Sequence, residues 1–294
     1  MGYRLMADAA CDLPAAYTKE KGILVLPIPV TFNGVEYAAG NDPDAPGYLD
    51  PHAFYTAQKN GATSSTAQIN PGLIEEAMRT ILEAGDDVLY MTLAAPLSGT
   101  YANARFAAQN LSKKFPDRQI AVVDSKCVSL GFGMLVWLTQ REKENGATFE
   151  EIVSFAEAAR SRVRHWFTVA DLQYLKKSGR ISATSAVIGT VLNVKPVLYV
   201  DPDGRLVLRE KVTGRKKALS TLIVHMEEDR ADTRNCPVFI SHCDAGDDVD
   251  LLAGQVEKKF GVKPSIINLV TPIIGTHVGF GTIALFYCTG TDGK

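Results

Sequence analysis

Short runs of apolar, mostly β-branched residues recur along the chain at Tyr3–Met6, Ile23–Val30, Val88–Leu93, Gln119–Val123, Phe167–Val169, Val197–Val200, Leu206–Leu208, Val238–Ser241, Ser265–Val270 and Thr282–Tyr287. Each has the length and composition of a β-strand. Between them lie segments of helical period. Leu73, Ile74, Ala77, Met78, Ile81 and Leu82 form one apolar stripe, and Phe149, Ile152, Val153, Ala156 and Val163 form another. Ala218, Leu219, Leu222, Ile223 and Met226 make a third, and Val249, Leu252, Val256 and Phe260 a fourth.

Strand and helix alternate through the first half, which predicts a mostly parallel sheet with helical crossovers. The second half opens differently. Val197–Val200, then Asp201-Pro202-Asp203-Gly204, then Arg205–Leu208 predicts an antiparallel hairpin with Gly204 at positive φ. The expectation is a two-lobed α/β protein, residues 1–160 carrying the parallel sheet and residues 161–294 a mixed sheet with a hairpin. The segment Asn33–Pro51, rich in Gly, Pro, Asn and Asp, is expected to be a surface excursion.

A chain of 294 residues, 46% hydrophobic and 22% charged, is long enough for two lobes and for an apolar pocket inside a sizeable core. Met1–Met6 has no apolar segment of the kind a secretory signal needs, and Met6 occupies the Ser/Thr position of a myristoylation motif. No apolar run approaches the roughly 18 residues of a membrane span. The five cysteines (Cys11, Cys127, Cys236, Cys243 and Cys288) are dispersed in apolar surroundings with no C-x-x-C pair, as expected of reduced, buried thiols in the cytoplasm. Net charge is −2, unevenly spread. Arg160–Lys217 holds 13 Lys or Arg against 4 Asp or Glu, which is +9 and leaves −11 elsewhere. Such a tract is either a solvated face or a docking face for an acidic or phosphorylated partner. Its aromatics, among them Trp166, Phe167 and Tyr174, are too sparse for a nucleic-acid stacking platform.

Four polar stations interrupt the apolar framework. Thr63-Ser64-Ser65-Thr66, ahead of the Leu73 helix, has more hydroxyls than one cap uses, although capping and turn formation are their ordinary work. Leu97-Ser98-Gly99-Thr100 follows the Val88–Leu93 strand and opens a helix. Ligands of α/β proteins gather at such strand ends, and the helix N-terminus suits a carboxylate or phosphate. At Leu175–Ser182, Arg180 offers a fixed cation, with a basic helix end as the plainer alternative. At Ile274–Gly281, three glycines at alternating spacing frame His277.

Sharper motifs are missing. There is no phosphate loop, the Gly131-Phe132-Gly133 step lacks the third glycine of a dinucleotide fingerprint, and the five histidines have no metal-ligand spacing. Pro96 and Thr100 stand where a serine-hydrolase elbow around Ser98 needs glycines. His242 and Cys243, adjacent on a strand, point to opposite faces and do not make a catalytic dyad. No metal, cofactor or catalytic residue is expected.

Taken in order, these stations resemble the boxes of the DegV family of fatty-acid-binding proteins. Asp8-Ala9-Ala10-Cys11-Asp12-Leu13-Pro14 is similar to that family's opening, and Thr66-Ala67-Gln68 to its second loop. Leu97–Tyr101, Val123-Asp124-Ser125 with Ser129-Leu130-Gly131, Leu175–Ser182 and Gly275–Gly281 match the remaining boxes. Ala67, Ile69, Ser178 and Phe280 depart from the pattern. The resemblance implies an acyl chain buried in the N-terminal lobe and a carboxylate held by Thr66 and Ser98. It also implies Arg180 and His277 near the same opening, and a separate fatty-acid kinase as partner. The rival expectation is a stand-alone acyl hydrolase or kinase-like enzyme using Ser98 and His277.

Overall fold

The computed structural model describes residues 2–182 and 193–290. Part of the basic Arg160–Lys217 tract, residues 183–192, lies outside the described residues. The first half contains β1 (Tyr3–Asp8), α1 (Ala15–Glu20), β2 (Leu24–Leu26), β3 (Ile28–Phe32), β4 (Val35–Ala39), α2 (Pro51–Lys59) and β5 (Ser64–Thr66). It continues with α3 (Pro71–Glu83), β6 (Asp87–Thr92), α4 (Thr100–Lys114), β7 (Ile120–Asp124), α5 (Ser129–Glu144) and α6 (Phe149–Ala159). The second half runs β8 (Val163–Thr168), α7 (Gln173–Lys177), β9 (Val194–Val200), β10 (Leu206–Thr213) and α8 (Arg215–Glu228). It ends with β11 (Phe239–His242), α9 (Gly246–Phe260), β12 (Ile266–Leu269), α10 (Pro272–Val278) and β13 (Ile283–Cys288).

Alternation of strand and helix produces the expected parallel sheet, ordered β2-β1-β6-β7. The second half builds a six-stranded mixed sheet, β10-β9-β8-β13-β11-β12, in which only the β11–β12 pair is parallel. The predicted hairpin is β9–β10, with Gly204 at φ +86°. Position-by-position burial follows from these sheets. All six residues of β6 are buried, because helices cover both faces of a central parallel strand.

Three expectations are corrected. The Ile23–Val30 run is two strands, because Pro27 has no N–H to continue the ladder; β2 joins the parallel sheet and β3 leaves it. The Asn33–Pro51 excursion contains β4, folded back on β3 through Asn33 and Gly34, at φ +49° and +80°. Positive φ at both central residues is the turn geometry that Asn-Gly favours, so the signal was present in the sequence. Val163 belongs to β8, since the helix carrying its predicted stripe stops at Ala159.

The two halves share one core. A single cluster of buried apolar side chains runs from Leu5 in β1 to Cys288 in β13, with Leu130, Phe132 and Leu135 of α5 in its middle. The glycines of α5 explain the close fit: a Cβ at Gly133 would lie 2.5 Å from the Cys11 carbonyl oxygen, and one at Gly131 would enter the His165 ring. Those two glycines serve helix packing. A second cluster, centred on Trp166, Leu222 and Leu252, lies between the mixed sheet and α8 and α9.

Candidate functional site

Thr66 ends β5, the strand that pairs antiparallel with β3 and puts Thr66 opposite Val30. The Thr63–Thr66 hydroxyls therefore do not cap α3. Asn70 does, its side chain accepting from the Gly72 N–H at 2.8 Å. Ser98 lies in the loop between β6 and α4, two residues before the first helical position. Its Oγ is 3.0 Å from Thr100 Oγ1 and accepts from the Thr100 N–H at 3.3 Å. Gly99 brings the backbone against Gln68, so closely that a Cβ there would strike the Gln68 amide.

His277 is on α10, a short helix started by Pro272 and stopped at Gly279, φ +79°. A Cβ at Gly275 would lie 2.3 Å from Tyr55 Oη, so α10 can sit against α2 only with glycine there. The glycines framing His277 thus seat and end its helix. The imidazole shares a 2.8 Å hydrogen bond with Thr66 through Nε2, and its Nδ1 is buried with no hydrogen-bond partner among the described residues. Burial, with the nearby Arg180 charge, pulls its pKa down to about 4, so the ring is neutral at pH 7. Arg180 follows α7 beyond Gly179 and hydrogen-bonds the Ser178 carbonyl. Burial lowers its pKa as well.

All four residues line one cavity of about 170 Å³, together with Gln68 and a ring of apolar side chains. Ile28, Leu93, Leu97 and Val128 wall it from the first half, and Leu175, Leu206, Ile273, Ile274 and Val278 from the second. The cavity therefore lies between the halves rather than inside residues 1–160. Val128, Leu206, Ile274 and Val278 also border an apolar recess of about 40 Å³, which runs on to Phe167 and Phe286. Outward, Thr66, Arg180 and His277 face a third space of about 430 Å³, shared with Lys177 and Tyr174.

Two buried acids, part of the opening box but assigned no role from sequence, hold these pieces. Asp8 accepts from the Leu93 N–H at 2.8 Å and so ties down the loop leading to Ser98. Asp12 accepts from Ser129 Oγ at 2.6 Å and from the Thr271 N–H at 2.9 Å, which fixes the start of α10. Burial raises both pKa values to about 7. Asp124 adds a third tie by accepting from the Ala95 N–H at 3.0 Å. The partners of Asp12 are distant in sequence, so no local signal marks its role.

The arrangement is a polar mouth on an apolar interior. Ser98 bonds to Thr100 and His277 to Thr66, so among the described residues Ser98 has no hydrogen-bonded base. Cys243 is buried and its thiol pKa is pushed up by burial, while His242 accepts from the Ala245 N–H; the two form no dyad. All five cysteines are free and buried. Among the described residues, no cluster of His, Cys, Asp and Glu could hold a metal ion, and no helix is long and apolar enough to cross a membrane.

A parallel sheet and a mixed sheet enclosing such a cavity define an α/β protein of the type found in solved fatty-acid-bound structures. The chain belongs to the DegV family: the model of that family, described as one of uncharacterised proteins, matches residues 3–290. A DegV domain-containing protein of Clostridium perfringens is 35% identical, the match covering 98% of this chain and 97% of that one. A DegV family protein from Thermus thermophilus, described for its fatty acid binding, is 30% identical with a TM-score of 0.85, covering 99% of this chain and 100% of that one. A stearic acid-binding protein from Eubacterium ventriosum is 25% identical, with a TM-score of 0.86 and 98% of each chain covered.

Proposed function

We propose that this chain binds a long-chain fatty acid, with Thr66 and Ser98 on its carboxylate, and presents that carboxylate to a separate fatty-acid kinase. The observation that carries the proposal is the single cavity with apolar walls and a mouth made of Thr66, Ser98, Arg180 and His277. Fatty-acid binding by the Thermus thermophilus and Eubacterium ventriosum proteins supports it.

The energetics favour a ligand of this shape. Each buried methylene contributes about 0.8 kcal/mol. Hydrogen bonds to a charged carboxylate add about 1.5–3 kcal/mol each. The tail dominates affinity, and the hydroxyls fix the position of the head. We place the acyl chain between the halves, running from the mouth past Val128 and Ile274 toward Phe167 and Phe286. A pocket for a whole ligand is typically about 300 Å³ or more. At about 170 and 40 Å³ the two spaces are smaller, so a long chain has to part the side chains between them.

Two features support a non-catalytic role. Ser98 lacks a paired base, and the sequence has no phosphate loop. The kinase would supply ATP and metal, approaching through the outer space beside Lys177 and Arg180. Lipid extraction and mass spectrometry of the purified protein, followed by stearate titration of delipidated protein, tests the binding. Absence of both co-purified and rebound fatty acid would overturn it. Acyl phosphate formed from ATP by the purified chain alone would overturn the division of labour with a kinase.

A further inference from the structure

The apolar recess beyond Val128 and Ile274 is bounded by three rings, His165, Phe167 and Phe286. His165 and Phe167 lie two apart on β8 and so project from one face of the mixed sheet. Phe286 stands opposite His165 on β13 and meets its ring edge to face, with centroids 5.5 Å apart. Ser129, Ser241 and Thr282 also border the recess, but their hydroxyls are engaged. Ser129 donates to Asp12 at 2.6 Å and lies 3.0 Å from Ser241 Oγ, and Thr282 donates to the Val278 carbonyl at 3.0 Å. A hydrocarbon end therefore meets no unpaired hydroxyl there.

His165 differs from the two phenylalanines in what lies behind it. β8 pairs with β9 only from Trp166 to Thr168, and beside the unpaired part of β8 is a space of about 550 Å³. Arg160, Arg164, Asp201 and Glu228 are among its walls, and His165 is the one described residue that borders both this space and the recess. The imidazole thus separates an apolar space from a charged one. Its position is fixed. Nε2 accepts the Val128 N–H at 3.3 Å, and a Cβ at Gly131 would fall 2.1 Å from Nε2, so the ring lies against the first turn of α5. Burial, with the Arg164 charge, pulls its pKa down to about 3, and a neutral ring suits a hydrocarbon neighbour.

We propose that His165 is a specificity-determining residue that sets the acyl-chain length, its ring being the stop that the terminal methyl meets. The inference rests on the tail placement given under the proposed function. A chain too long for the recess has no way onward past the imidazole, so it must buckle or leave its carboxylate short of Thr66 and Ser98.

Competition of laurate, myristate, palmitate, stearate and arachidate against one labelled acid, in the parent, His165→Ala and His165→Phe, tests the proposal. In the parent, affinity should rise by about fourfold per added methylene until the tail reaches the ring, and then stop rising. The room left in His165→Ala should move that break to a longer acid, tightening the first acid beyond the parent's break by about fourfold or more relative to the one before it. His165→Phe restores a ring without Nε2 and should keep the parent's break, with every acid weakened alike by loss of the bond to Val128. A parent series without a break, a break unmoved in His165→Ala, or one moved equally in His165→Phe would overturn the role of His165 while leaving the fatty-acid reading intact. Binding of none of these acids by the parent would overturn both. Should His165→Ala fail to fold, a crystal structure of the parent with the acid at the break decides the matter. A terminal methyl packed on the imidazole supports the stop, and one packed on any other wall overturns it.

Discussion

Thr66 and His277, 211 positions apart, share a 2.8 Å hydrogen bond at the mouth of the cavity. One comes from the end of a three-stranded antiparallel sheet and the other from a seven-residue helix, so the bond joins the two sides of the opening. A neutral imidazole there can meet a carboxylate without the cost of a buried unpaired charge.

Replacing Thr66 with Val keeps the β-branched shape and removes the hydroxyl. Fatty-acid affinity should fall about tenfold or more, since a bond to a charged group is worth about 1.5–3 kcal/mol. Fluorescence competition with a labelled acid measures it. An unchanged dissociation constant would show that the carboxylate is bound elsewhere.

The ring of His277 should titrate near pH 4, against 6.5 for an ordinary histidine. Because the folded value is depressed, its contribution to stability is complete above pH 6.5 and is lost as pH falls toward 4. Burial is the larger cause and Arg180 the second, so Arg180→Gln should move the midpoint upward by a smaller amount than full exposure would. NMR of the imidazole resonances reports it directly; a midpoint near 6.5 in the parent would refute the description.

Asp12 behaves in the opposite sense. Its folded pKa is raised to about 7 from 3.8, so it keeps its proton where the unfolded chain has lost one. Stability therefore declines as pH climbs through that window. Asp12→Asn can still accept from Thr271 and can donate to Ser129, but it does not titrate. Urea midpoints of parent and variant should shift in the variant's favour between about pH 4 and about pH 7. A constant difference would mean that Asp12 does not titrate in this range.

Gly275→Ala would force a methyl group to within 2.3 Å of Tyr55 Oη, a fully buried side chain bonded to the Val270 carbonyl at 2.8 Å. Overpacking of this kind costs about 1–3 kcal/mol. Because α10 carries His277, fatty-acid affinity should fall together with the melting temperature. A variant as stable and as tight-binding as the parent would show that α10 is free to shift.

Ile274→Trp would plug the passage between the cavity and the apolar recess. Stearate should lose affinity, by about 0.8 kcal/mol for each methylene excluded, while hexanoate should be little affected. Equal losses for both acids would argue against the proposed tail route.

The architecture was legible where periodicity was strong. Alternating strands and helical stripes gave the parallel sheet, and Asp201–Gly204 gave the hairpin. The four stations at Thr66, Ser98, Arg180 and His277 also stood out, because each breaks an apolar context, and folding brings all four to one cavity. β5 is not legible as a strand, since its residues, Ser64-Ser65-Thr66, suit a helix cap or a turn equally well. β4 was masked by the Gly, Pro and Asp that surround it, although Asn33-Gly34 marked its turn. The support given by Asp12 was not legible. Its partners Ser129 and Thr271 lie 117 and 259 positions away, and a single sequence without its fold does not pair them.

The place of β13 in the mixed sheet has a consequence for how the polypeptide matures. That strand lies between β8 and β11, so until residues 283–288 are available the sheet exists as two unjoined pieces with exposed edges. The parallel sheet, by contrast, has all its strands once residue 124 has been made. While residues 125–288 are being made, a nascent chain would carry a parallel sheet with all its strands beside a mixed sheet that is still incomplete. Open strand edges invite pairing with other chains, so this is the interval in which a chaperone would matter most.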